Sequence, residues 1–178
     1  MTFFLRARTL VTATVLVLAG TQFAPAASPA GSRGTTTLTL TAPVRAALRK
    51  VRIPVLVPTV VPTSLEVVGI AVDSYSDDEY SLELVASQAC VGVKTSGGAC
   101  TQASVEGQRT AGPTPSGYRP VTLSDGSKGY YLDGPCGMNC HGSFQFTFVR
   151  GGVRYTIVIN AGKLAQALTI ERGLRVLR

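Results

Sequence analysis

One short segment carries most of the side chains that could do chemistry. Cys136-Gly-Met-Asn-Cys140-His141 places two thiols and an imidazole close together, and His141 is the only histidine of the chain. With Cys90 or Cys100, these groups could complete a tetrahedral zinc site. A redox-active thiol pair is a second interpretation, although the spacing is one residue longer than in zinc knuckles and thioredoxin-like motifs.

The four cysteines are better explained as two structural disulfides. All of them lie in the part of the chain that we expect to be exported, and an even number of cysteines in an oxidising compartment favours disulfides. Several pairings are open. We favour Cys90 with Cys100 and Cys136 with Cys140, because each pair lies on one glycine-rich loop. We therefore expect the disulfides to hold loops, with no metal ion and no cofactor.

His141 raises the question of catalysis, since any Ser-His-Asp or Cys-His arrangement would have to use it. Ser143 and Asp133 lie near it in sequence, but no Gly-x-Ser-x-Gly motif surrounds the serine. A small secreted hydrolase that uses His141 is thus an alternative function. A loop or capping histidine is the simpler interpretation, and we assign no catalytic residue.

A cluster of acids at residues 73–79 is the other candidate for ligand chemistry. Asp73, Asp77, Asp78 and Glu79 supply the oxygen atoms that calcium prefers, but they lack the Asp-x-Asp-x-Asp-Gly order of a calcium loop. We predict a solvated hairpin turn here. No metal ligand is assigned.

The beginning of the chain has the pattern of a cleavable secretory signal peptide. Arg6 and Arg8 precede an apolar run from Leu10 to Gly20, and small residues end at Ala26. The run is about half of the roughly 20 residues that a membrane-spanning helix needs. Thr21 stands where a lipoprotein would carry its acylated cysteine. We expect residues 1–26 to be removed and the protein to be periplasmic, cell-surface or secreted, without a stable membrane span.

Charge is concentrated at the two ends of the remaining chain. The whole sequence has 17 Lys and Arg against 10 Asp and Glu. Residues 27–52 hold basic residues and no acid, and residues 171–178 hold three arginines beside Glu171. Basic ends favour association with anionic cell-surface polymers or lipid headgroups. They lack the interleaved aromatic residues of nucleic-acid-binding segments, so we expect no nucleic-acid partner.

Composition divides the exported part into two regions. We expect residues 27–51 to form a flexible basic linker, with a short helix as an option after Pro43, and residues 52–178 to form a single disulfide-stabilised domain. The run from Ile53 to Pro62 has prolines at every fourth position, which excludes a helix and a central strand. We predict an extended apolar segment docked on the domain.

Beyond residue 64 the pattern is typical of β-hairpins. Alternating Phe144, Phe146 and Phe148 should share one face, which Tyr155 and the isoleucines near it would complement. Residues 162–168, with Leu177 as the furthest extent, have the spacing of an amphipathic helix. The sequence therefore predicts an α+β fold, an antiparallel β-sheet built from hairpins with a C-terminal covering helix. The predicted hairpins pair residues 65–72 with 79–85, 120–123 with 128–132, and 143–149 with 153–160.

The exported region resembles a family of uncharacterised exported bacterial domains related to the C-terminal modules of some anti-sigma factors and lipoproteins. The resemblance spans roughly residues 52–172 and lies in the order of several short motifs. The family has tryptophan in the strand after the second cysteine, where this chain offers Phe146 or Phe148. The resemblance implies the fold but no activity and no site residues. The motifs are Ile53 to Pro58 with Pro62, Tyr80, Val121 to Tyr131, Cys136 with Cys140, and Gly152 to Tyr155.

Taken together, the pattern predicts a non-enzymatic binding or sensing domain at the cell envelope. We expect its contact surface on the loop face that the disulfides hold, with an envelope protein or an anionic cell-surface polymer as partner. The alternatives are the hydrolase using His141 and a structural envelope component associated through the basic ends.

Overall fold

The computed structural model describes residues 34–93, 100–109, 112, 116–132 and 142–178. Among these residues the fold is broadly α+β, with two helices and a predominantly antiparallel set of strands. The elements are β1 Thr35–Thr37, α1 Ala42–Leu48, β2 Leu56–Pro58, β3 Val60–Pro62, β4 Gly69–Tyr75, β5 Glu79–Val85, β6 Gly92–Val93, β7 Thr101–Gln108, β8 Arg119–Thr122, β9 Lys128–Leu132, β10 Phe144–Arg150, β11 Val153–Ile159, α2 Leu164–Arg172 and β12 Leu174–Val176.

Eight of the described strands form one large sheet in the order β6-β4-β5-β7-β11-β10-β9-β8. The prediction of an antiparallel sheet is correct for all pairs but one, because the short β6 runs parallel to β4. The sheet is therefore mixed. The parallel pair arises because the chain passes through a 3-10 turn at Gln88–Cys90 before β6, and so returns along β4 in the same direction.

The three predicted hairpins are present as β4 with β5, β8 with β9, and β10 with β11. In the third, Phe144 pairs with Ile159, Phe146 with Ile157 and Phe148 with Tyr155, as the alternation predicted. All six of these side chains are buried. This face of the large sheet is its core face.

The centre of the sheet is a strand that the sequence analysis missed. β7 pairs with β5 on one side and β11 on the other, although residues 101–108 alternate only Ala103, Val105 and Gly107 with polar residues. Gly107 is required there, because a Cβ atom would lie 2.3 Å from the Tyr80 ring. Small residues thus make room for a large aromatic ring from the neighbouring strand.

A second layer covers the core face of the large sheet. It consists of α1, the extended segment Ile53 to Pro62 and α2, with the short ladders β1–β3 and β2–β12. The docked proline-rich segment agrees with the prediction. The described part of the expected linker also belongs to this layer, since Val44 and Leu48 of α1 are buried in the core.

The C-terminal helix is shorter than its furthest predicted extent. α2 ends at Arg172, and the chain continues as β12 against β2. Gly173 allows this turn, because a Cβ atom there would lie 2.7 Å from the carbonyl oxygen of Val60. The covering helix is therefore followed by a strand that completes the second layer.

Two tyrosines attach the proline-rich segment to the large sheet. The Tyr80 hydroxyl on β5 accepts a hydrogen bond from Leu56 N at 2.9 Å and lies 3.2 Å from Leu56 O, to which it donates. The Tyr155 hydroxyl on β11 donates to Pro54 O at 2.8 Å. Burial raises the pKa of the Tyr80 hydroxyl well above its usual range, so this group stays neutral. Side chains of the large sheet thus satisfy backbone groups of the proline-rich segment.

Replacing Tyr80 with phenylalanine should therefore leave both polar backbone groups of Leu56 buried without their partner. We expect Tyr80→Phe to lower the free energy of unfolding by about 1 to 3 kcal/mol, measured by urea denaturation. Tyr75→Phe is the matched control, because it removes a hydroxyl from a half-buried ring beside Lys50. Equal stability of the Tyr80 variant and the wild type would contradict this role.

Candidate functional site

The structure describes one of the two predicted cysteine pairs. The sulfur atoms of Cys90 and Cys100 lie at disulfide-bonding distance, with their Cα atoms 6.5 Å apart. This link joins the 3-10 turn after β5 to the start of β7, where Ala86 N also donates to Cys100 O. Cys136, Cys140 and His141, together with Asp133, lie outside the described residues, so the second pairing and the alternatives built on His141 stay predictions.

Removing the Cys90–Cys100 link should weaken the fold moderately. In the chain-entropy model a loop of this length contributes about 2 to 3 kcal/mol. We expect the double variant Cys90→Ala with Cys100→Ala to lose that amount in urea denaturation under oxidising conditions. Any further loss that reductant causes in the double variant reports on Cys136 and Cys140. An unchanged unfolding midpoint in the oxidised double variant would argue against the link.

The predicted acidic turn joins β4 to β5 and is exposed, as expected. Its carboxylates pair with arginines from elsewhere in the chain, Asp77 with Arg52 at 3.1 Å and Asp78 with Arg109 at 2.5 Å. Exposed pairs of this kind contribute little to stability. In the part of the chain that the structure describes, no three acidic, histidine or cysteine side chains come together as a metal site.

A groove on the second layer brings the two basic ends of the chain together. It has a volume of about 320 Å³ and lies between residues 38–40 and residues 175–178. Arg45, Arg175 and Arg178 contribute the charged groups, and the rest of the lining is mainly apolar. We call this feature the basic groove. Its lining residues are Leu38, Thr39, Leu40, Arg45, Val57, Thr59, Arg175, Val176, Leu177 and Arg178.

Helix α1 positions the first of the three arginines. Pro43 stands at the beginning of the helix, where its missing N–H costs no hydrogen bond. Val44 and Leu48 are buried in the core and fix the helix on the large sheet. Arg45 and Arg49 lie one turn apart and remain exposed, so burial of one helical face turns both guanidinium groups towards the surface.

The turn at Gly173 positions the other two arginines. Gly173 O accepts hydrogen bonds from the backbone N and the hydroxyl of Thr59, at 3.0 and 2.8 Å. β12 then pairs Arg175 with Val57. The Arg175 guanidinium donates to the carbonyl oxygens of Arg172 and Leu174, both at 2.8 Å, where the end of α2 favours a positive charge.

The described carboxylates pair with arginines other than those of the basic groove. The described ion pairs use Arg52, Arg109 and Arg150, so no described carboxylate pairs with the three arginines of the basic groove. Glu79 and Glu106 line a different hollow of about 290 Å³ on the other face of the sheet. None of the three arginines of the basic groove takes part in a described ion pair, and the groove would favour an anion.

One carboxylate is buried beneath the second layer. The side chain of Glu171 on α2 is 2% exposed, its Oε1 lies 3.4 Å from the Arg150 guanidinium, and its Oε2 has no partner among the described residues. Burial raises the pKa of Glu171 above its usual range, although Arg150 opposes this. Arg150 also pairs with the exposed Asp125 at 2.8 Å. Hydrogen bonds from Ser127 lower the pKa of Asp125.

These opposite pKa directions predict opposite effects on stability. The pKa of Glu171 is higher in the folded protein than in the unfolded chain, so ionisation of Glu171 destabilises the fold. The contribution of Glu171 to the free energy of unfolding therefore falls as the pH rises from about 4 towards neutrality. We expect Glu171→Gln to gain stability relative to the wild type over that range. Asp125→Asn should instead lose stability relative to the wild type near neutral pH, because the pKa of Asp125 is lower in the folded protein than in the unfolded chain. The stabilisation by ionised Asp125 is lost as the pH falls into the acid range. Thermal unfolding between about pH 2 and 7 tests both, since the Asp125 effect falls below about pH 4 and the Glu171 effect above it. Parallel curves for Glu171→Gln and the wild type would contradict the burial argument.

Comparison with known proteins gives no relative for this chain. No protein-family model matches it, and neither does any curated protein or solved structure at a significant level. The resemblance stated from the sequence motifs therefore stays a prediction. Within the described residues, no helix is both long and apolar enough to cross a membrane.

The sequence identified the charged groups of the basic groove but not the groove itself. The concentration of arginines at both ends was visible, whereas their convergence depends on pairing β12 with β2. The only sequence signal for that pairing is the short alternation Leu174, Arg175 and Val176 after Gly173, which is too brief to distinguish a strand from a frayed helix end.

Proposed function

We propose that this protein is exported and is a non-enzymatic binding domain of the cell envelope, which holds an anionic envelope constituent in the basic groove. The proposal combines the leading sequence interpretation with the alternative in which the basic ends make the contact. Export rests on the signal-peptide pattern of residues 1–26 and is supported by the Cys90–Cys100 link, since disulfides persist in oxidising compartments.

One observation carries the proposal: residues from both basic ends line the same apolar groove. Arg45 comes from the first helix, and Arg175 and Arg178 come from the last described segment. Charges that served only solubility would be expected to stay dispersed, as Lys128 and Arg119 are on the far strands of the large sheet. A concave, mainly apolar surface with a few convergent charged groups is the common form of a ligand site.

Neutralising the basic groove should abolish binding to the envelope. The test uses the protein purified from the export compartment of an expression host, sedimented with wall and membrane fractions of a cell envelope. We expect Arg45→Gln with Arg178→Gln to lose most of the bound fraction. The matched control, Lys128→Gln with Arg119→Gln, removes the same charge from the opposite part of the sheet and should bind like the wild type.

Salt gives a second measure in the same assay. Raising the ionic strength from about 0.05 to 0.5 M shortens the screening length several-fold and should weaken wild-type binding. Equal losses in the groove variant and the control would assign the binding to net charge alone. Absence of wild-type binding at low salt would overturn the proposed function.

A further inference from the structure

A second cavity adjoins the basic groove. This cavity has a volume of about 210 Å³ and also contains Leu177 and Arg178 in its lining. Its other walls come from the end of α1 and the beginning of the proline-rich segment, including Leu48, Val51 and Ile53. The two hollows therefore lie side by side along the last residues of the chain, which makes the combined surface elongated.

The lining of the basic groove is suited to hydrocarbon, whereas the adjoining cavity also carries Arg49. Leu38, Leu40 and Leu177 line the basic groove, and Val176 within it is 57% exposed, the largest exposed fraction among the exposed large hydrophobic side chains of the described chain. The hydroxyl groups of Thr39 and Thr59 are the only uncharged polar side-chain groups in the lining, and the Thr59 hydroxyl is already bonded to Gly173 O. Covering this surface with an apolar group would remove hydrocarbon from water on both sides.

The arginines of the basic groove favour an occupant that also carries an acidic group. Guanidinium groups match carboxylate and phosphate oxygens in geometry and charge, and the described ion pairs use none of the three arginines of this groove. An occupant that satisfies both parts has an apolar chain and an acidic group at one end. Resting on the proposed function, we propose that the basic groove binds an anionic lipid, with an acyl chain along the apolar floor and the acidic headgroup at Arg45, Arg175 and Arg178.

An acidic peptide fits the groove less well. Each peptide unit brings a donor and an acceptor that need partners when buried. The described groove offers Thr39 as the one free side-chain hydroxyl beside the arginines, and two nearby backbone donors, Leu38 N and Leu177 N, are already bonded to Thr59 O and Val55 O. A hydrocarbon chain has no such requirement.

The composition of the chain provides a direct reporter for this proposal. The sequence contains no tryptophan, so a single introduced tryptophan is the only indole in the molecule. Val176→Trp places it in the basic groove, and Val68→Trp places it at a site of similar exposure, 49%, that does not line the groove. The probe is dodecyl phosphate, added as monomer below its micelle concentration.

We expect dodecyl phosphate to shift the emission of Val176→Trp to shorter wavelength in a saturable way and to leave Val68→Trp unchanged. Adding Arg45→Gln with Arg178→Gln to the Val176→Trp variant should weaken the apparent affinity at least about tenfold, since charge-assisted contacts to the headgroup are lost. Adding Lys128→Gln with Arg119→Gln instead should leave the affinity unchanged. Dodecyl maltoside, with the same chain and no charge, should bind at least about tenfold more weakly.

Three results would overturn the lipid assignment. One is an equal response of the Val176 and Val68 variants, which would indicate non-specific adsorption. Another is equal binding of the phosphate and the maltoside, which would leave the arginines without a role. The last is displacement of the probe by a glutamate-rich peptide at comparable concentration, which would favour an acidic protein partner.

The two proposals can fail separately. If the arginine-dependent sedimentation with the envelope is observed but dodecyl phosphate causes no groove-specific shift, the proposed function stands and the lipid assignment is wrong. If sedimentation is absent while the probe binds, the groove takes lipid but does not retain the protein on the envelope. Loss of both responses removes both proposals.

Discussion

The second layer of this protein depends on the contact between the Tyr80 hydroxyl and the backbone of Leu56. The proline-rich segment packs over the face of the large sheet, where its backbone cannot join the sheet's own ladder, and it pairs instead with β1 and β12. A tyrosine side chain replaces the ladder and satisfies both polar groups of one residue in a buried place. Since β12 pairs with the same segment, the floor and one wall of the basic groove are attached to the sheet through this contact.

The parts of the fold with strong local signals could be predicted. The hairpin around Asp125 and Gly126 and the alternating phenylalanines of β10 specify strand, turn and face within a few residues, and the structure contains these strands, this turn and this buried face. β7 could not be predicted, because its inward-facing residues are small. Their size is explained only by Tyr80 on the neighbouring strand, which is a tertiary constraint.

The same distinction applies to the candidate site. Charge at the two ends is a property of composition and was visible in the sequence, whereas the groove results from the pairing of strands that are distant in the chain. The first part of the expected linker was assigned from its Ser, Thr, Ala, Gly and Pro content, yet Leu38 is buried in the core, and the optional short helix after Pro43 is present as α1 with Val44 buried. A few apolar residues, spaced to face a surface that the rest of the chain supplies, outweighed the polar composition around them.

The pairing of β12 with β2 also affects the order in which the chain can fold. Thr59 and Gly173 are bonded although 114 positions separate them, so among the described strands β2 has no ladder partner until residues 174–176 are available. Contacts between such distant residues slow folding. On the proposed export route, the ladder between β2 and β12 would therefore form only after residues 174–176 have emerged, whereas the large sheet needs no residue beyond Ile159.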